Sequence, residues 1–109
     1  TTLNGDMNSV AIQLANEKIE EVMADKTFQG YSSVLDEKYP EEDLSAPYQG
    51  FSRLVNVTEV NDSDLITEEA GSGLKRVDVT VSWGGDDSVT VTSMVGDYNW
   101  NLWFQTHKN

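Results

Sequence analysis

The sequence predicts an α+β fold, with one long N-terminal amphipathic helix packed on a three- to four-stranded antiparallel sheet. Three observations predict it. Apolar residues recur at steps of three and four from Met7 to Met23, the run from Leu74 to Trp83 alternates valines with polar residues, and Gly84-Gly85-Asp86-Asp87 reverses the chain into a second alternating run. At 109 residues the chain has the size of one domain, so residues 1–109 are read as a single unit, helix at about 1–28 and sheet at 51–105.

Met7, Val10, Ala11, Leu14, Ala15, Ile19, Val22 and Met23 place one apolar stripe on the helix, and Gln13, Asn16, Glu17, Glu20 and Glu21 fill the other side. The segment from Asp6 to about Lys26 is the core of this element. Asn4, Gly5 and Asp6 either cap it or lie inside a longer helix, where Gly5 costs about 1 kcal/mol relative to Ala. Gly30 is the expected stop.

Tyr39-Pro40, Ala46-Pro47 and the acidic run Glu41, Glu42, Asp43 make residues 31–50 a long connecting loop with room for one short helical turn. The second half reads as strands. Phe51, Arg53, Val55 and Val57 alternate with Ser52, Leu54, Asn56 and Thr58, and a polar break at Asn61 to Asp64 precedes Leu65, Ile66 and a loop from Glu68 to Gly73.

In Leu74 to Trp83, Val77, Val79, Val81 and Trp83 share one face, the pattern of a sheet covered on one side. The glycine turn then gives a hairpin into Ser88 to Val95. After Gly96 and Asp97, Tyr98, Trp100, Leu102 and Phe104 alternate as a further strand that closes the sheet.

Nineteen acidic residues against seven basic ones give a net charge of -12. Nucleic acid is excluded as a partner, because phosphate binding needs a Lys/Arg surface, and anionic lipid is disfavoured for the same reason. The three Trp, four Tyr and three Phe set the chain apart from a disordered acidic tail. Cysteine chemistry is absent with the residue itself, and no stretch approaches the roughly 20 apolar residues that span a bilayer.

Catalysis is not expected. The lone histidine, His107, sits two residues from the last one, and Gly84-Gly85 is explained by its turn rather than by a phosphate loop. Asp62 and Asp64, and Asp86 and Asp87, lie in loops where carboxylates can surround calcium; the competing reading is turn-forming, solubilising acids. Calcium is therefore the one cofactor the sequence raises. Trp83 and Trp100 fall on apolar faces and read as core, whereas Trp103 falls on the opposite face and reads as a surface contact.

The segment Ala11-Ile12-Gln13-Leu14-Ala15-Asn16-Glu17-Lys18-Ile19-Glu20-Glu21-Val22 resembles the region that follows the membrane-spanning part of type IV minor pilins and type II secretion pseudopilins. Leu74-Lys75-Arg76-Val77-Asp78-Val79-Thr80-Val81-Ser82-Trp83 is similar to the alternating-valine strand of the same proteins, with a Gly-rich turn after it. The two segments cover about a fifth of the chain directly.

That resemblance implies a pilin-like fold and a structural subunit that assembles through subunit–subunit contacts in a pilus or pseudopilus. It implies an extracytoplasmic domain, held in the inner membrane by an apolar N-terminal helix, with adhesion or protein transport as the filament's work. The family's leader and apolar helix are not among these residues, and the chain begins at Thr1 rather than Met. Glu17, Lys18, Glu20 and Glu21 are the positions such contacts would use, with Trp103; the alternative for the four helix residues is a solvated face. Major members of the pseudopilins carry a calcium site in a C-terminal loop. A function of a different class, an exported calcium- or glycan-binding module without a filament, is the competing expectation.

Overall fold

The structure, a computed structural model, describes residues 2–97, with side chains from residue 7 onward. Helix α1 runs Thr2–Gln29, which at 1.5 Å per residue is about 42 Å long. It continues through Gly5, so Asn4 to Asp6 do not cap it. It ends where expected: the Gly30 amide donates to the Lys26 carbonyl at 2.9 Å, and Gly30 takes a φ of 99° that a side chain would resist.

Four antiparallel strands follow in the spatial order β1-β2-β3-β4: β1 Glu42–Asp43, β2 Phe51–Glu59, β3 Leu74–Trp83 and β4 Asp87–Gly96. The expected strands at 51–58, 74–83 and 88–95 are all present. The sheet gains its fourth member from β1, inside the segment expected to be loop, while the expected strand at Tyr98 to Phe104 lies outside the described residues.

Register fixes the two faces. Val77, Val79 and Val81 pair with Val57, Val55 and Arg53 on β2 and with Ser93, Val91 and Val89 on β4, so these residues share the inner face. Every inward position of β3 from Lys75 to Trp83 is buried. Against this surface α1 lays Ala11, Leu14, Ala15, Lys18 and Val22, packing over β3 and β4 more than over β2. Met7, Val10, Ile19 and Met23 flank that core.

The segment between α1 and β2 roofs the β2 side. It holds 3₁₀ turns at Tyr31–Ser33 and Asp36–Lys38, and it buries Val34 and Tyr39. One expected turn is thus two, and the connection is part of the core. The outer face of the sheet is mostly small and polar, from Ser52 and Asn56 to Thr90 and Thr92, with Leu54, Arg76, Asp78 and Met94 among them and no described helix or strand over it.

Candidate functional site

The expected contact residues of α1 divide by helical phase. Glu17, Glu20 and Glu21 are exposed, as the polar face requires, although Glu17 also lies 4.0 Å from Arg53 Nη1 and Glu21 reaches back toward the buried stripe. Lys18 does not join them. It lies four residues after Leu14 and four before Val22, which puts it on the buried stripe, and its side chain keeps 8% of its surface exposed.

A long cation can enter this stripe because an acid is brought to meet it. Lys18 Nζ lies 2.9 Å from Glu42 Oε2 and 3.3 Å from Glu21 Oε1, with the Tyr39 ring 5.6 Å from its nitrogen. Arg53, facing inward from β2 between Phe51 and Val55, clasps the same carboxylate: Nε donates to Oε2 and Nη2 to Oε1, both at 3.1 Å. Its remaining Nη1 donates to the Leu14 carbonyl of α1 at 3.0 Å. Glu42 thus joins helix, sheet and β1 through one carboxylate, and this explains why a strand of two residues forms at Glu42–Asp43 at all. Burial raises the Glu42 pKa, but the hydrogen bonds and charges of Arg53 and Lys18 outweigh it and hold the group below the usual carboxylate range.

Another cation is buried at the other end of the sheet. Lys75 Nζ donates to the Tyr31 carbonyl at 2.9 Å and to the Val34 carbonyl at 2.7 Å, and it sits 4.2 Å from the centre of the Tyr31 ring. Desolvation pushes its pKa down, against the pull of Glu59 and Asp97. Glu59, directly across from Lys75 on β2, accepts the Tyr31 hydroxyl at 2.6 Å and the Gly71 and Gly73 amides at 2.8 and 3.2 Å. Those bonds, led by Tyr31, hold its carboxyl low. The Tyr39 hydroxyl donates to Asp25 Oδ2 at 2.7 Å, and both phenols are raised, first by burial and then by the carboxylate each one serves.

The candidate calcium acids are not brought together. Asp62 and Asp64 lie in the loop between β2 and β3, and Asp86 and Asp87 lie at the β3–β4 turn, so the length of β3 separates the pairs, about 30 Å. Asp64 already holds the Ile66 and Thr67 amides at 2.8 and 2.9 Å and the Thr67 hydroxyl, which lowers its pKa. Asn61 does the same for Ser63 and Asp64. Asp64 and Asn61 thus hold the turn they sit in. No group of three or more potential metal ligands occurs among the described residues.

Trp83 is buried against Phe51, with ring centres 5.7 Å apart, whereas Trp100 and Trp103 lie outside the described residues. No described helix is long and apolar enough to cross a membrane.

The sequence did signal the buried cations in one respect: Arg53 and Lys75 have the parity of the inward valines, and Lys18 the phase of Leu14 and Val22. Their anchors could not be foreseen, because Glu42, Tyr31 and Val34 reach them through long-range folding. Comparisons with protein-family models, with curated proteins and with solved structures returned no match to this chain.

Proposed function

We propose that this chain is a structural subunit of a type IV pilus or type II secretion pseudopilus, a pilin-like domain that works through contacts with neighbouring subunits. An apolar segment upstream of Thr1 would hold it in the inner membrane before assembly, with the domain outside the cytoplasm. The observation that carries the reading is the division of α1: one side is committed to the sheet from Ala11 to Val22, and the other presents Glu17, Glu20 and Glu21 outward along a 28-residue helix.

Lys18 serves this role internally, by fixing β1 to the helix rather than by meeting a neighbour. The outward acids set register more than affinity, since exposed pairs contribute about 0–1 kcal/mol each.

The test has two readouts. Upstream of the Thr1 codon the native gene should encode a basic leader, a glycine and then about 20 apolar residues. Because these 109 residues hold no cysteine, Glu20→Cys introduces a thiol at one defined place in the domain, which should give disulfide- or reagent-linked ladders with cysteine-bearing neighbours in intact cells. An ordinary secretory signal or a bare initiator Met upstream, together with monomer only on cross-linking, refutes the proposal.

A further inference from the structure

We propose that Asn56 is an acceptor for N-linked glycan, so that this domain carries a sugar on the outer face of its sheet. The inference rests on the extracytoplasmic location proposed above. Asn56-Val57-Thr58 is an Asn-x-Thr acceptor sequence. Strand alternation places Asn56 and Thr58 together on the outer face of β2, with Val57 turned inward. Carboxamide and hydroxyl, the two groups the acceptor sequence requires, therefore share one side of one strand.

Access is the second argument. Asn56 is exposed, and its side chain makes no hydrogen bond to any described residue. β1 pairs only with Ser52 and Arg53, so β2 at Asn56 has no strand on that side. Across the pair stands Asp78, turned to Arg76 and Thr92, with Thr80 on one diagonal and Arg76, held by Asp78 and the Leu65 carbonyl, on the other. Leu54, two residues earlier on the same face, is already exposed, so a saccharide can lie over it and over the neighbouring Thr80 and Thr58 without opening the core.

The chain contains another such sequence, Asn61-Asp62-Ser63, and the structure separates the two. Asn61 Nδ2 donates to Glu69 Oε1 at 2.9 Å, and its Oδ1 accepts the Ser63 and Asp64 amides. Modification at Asn61 would dismantle the loop it holds, while modification at Asn56 would dismantle nothing.

In the reaction Asn56 Nδ2 attacks the anomeric carbon of an oligosaccharide carried on a polyprenyl diphosphate. The new C–N bond forms as the carbon–oxygen bond to the diphosphate breaks; the diphosphate leaves with that electron pair, and one Nδ2 proton passes to a base on the transferase.

The test isolates the protein from its own cells, with fractionation, and compares wild type, Asn56→Gln and Asn61→Gln by intact mass and peptide mapping. The expected result is a glycan mass on the peptide bearing Asn56, wholly lost in Asn56→Gln, retained in Asn61→Gln, and absent from the apolar upstream segment. Unmodified Asn56 in protein recovered outside the cytoplasm overturns the glycan proposal and leaves the filament reading standing. Protein confined to the cytoplasm overturns both, and the fractionation shows it separately from the mass.

Discussion

Replacing Glu42 by Ala removes one carboxylate and strands two cations. Lys18 and Arg53 keep 8% and 12% of their side-chain surface exposed, so neither can recover full hydration where it stands. Breaking a buried pair by deleting one partner costs about 3–5 kcal/mol. Two features reduce that here: Glu42 is itself 32% exposed, and each cation retains a partner, Glu21 for Lys18 and the Leu14 carbonyl for Arg53. The expected loss is therefore about 3 kcal/mol for Glu42→Ala, on the order of 15 °C in Tm.

Urea denaturation followed by circular dichroism reads the loss as a shift in midpoint at constant slope. Glu42→Gln, which keeps the shape and loses the charge, should fall between wild type and Glu42→Ala. Lys18→Met in the Glu42→Ala background should cost less than Lys18→Met alone, because the cation it removes is already stranded. A change within about 0.5 kcal/mol for Glu42→Ala would refute the reasoning, since that is the range of an ordinary solvent-screened pair.

The alkaline limb of stability should carry the mark of the two phenols. Tyr31 and Tyr39 have raised pKa values in the fold, so their contribution is complete below the unfolded value of about 10 and is lost as pH rises through the folded one; Tyr39→Phe should flatten the fall of Tm above that pH, and an unchanged slope counts against the Tyr39–Asp25 bond. Lys75→Met should destabilise by about 2 kcal/mol despite its apolar gain, because the Tyr31 and Val34 carbonyls lose their donor; equal or greater stability in a thermal melt would show that the cation is dispensable. Calcium should leave Tm unmoved beyond what the same ionic strength of sodium chloride does, since the acid pairs stand at opposite ends of β3; a specific rise would mean a site built by other residues.

What the sequence made legible follows from periodicity. β3 was readable almost to the residue, because Val77, Val79, Val81 and Trp83 all face one way and the polar residues between them face the other. α1 was readable from its stripe, and Gly30 from the conformation it alone takes without strain. The segment from Tyr31 to Gly50 shows prolines and acids but no period in its sequence, because Val34 and Tyr39 bury singly. What holds them is specific rather than periodic: Lys75 grips two carbonyls, Tyr39 reaches Asp25, and the Val57 amide donates to Asp36 Oδ1 at 2.8 Å. The same limit hid β1, whose two residues are fixed by one carboxylate eleven positions from its arginine.

The helix acids were legible as a face, but the position of Lys18 shows that charge alone misassigns a residue when its phase points inward. Parity was the better guide, and at Arg53 and Lys75 it agreed with the structure against the ordinary preference of cations for water.

Lys18, Lys38, Arg53, Lys75 and Arg76 are each tied to a carboxylate, an amide or a carbonyl of their own chain. Three of these cations, Lys18, Arg53 and Lys75, are buried or nearly so, and a molecule diffusing toward the described surface consequently meets more carboxylates than cations. Two copies pushed side by side would feel each other across the Debye length, about 8 Å in physiological salt and about 30 Å in dilute buffer. Ionic strength is thus the dial that sets how closely such acid-coated bodies can be stacked.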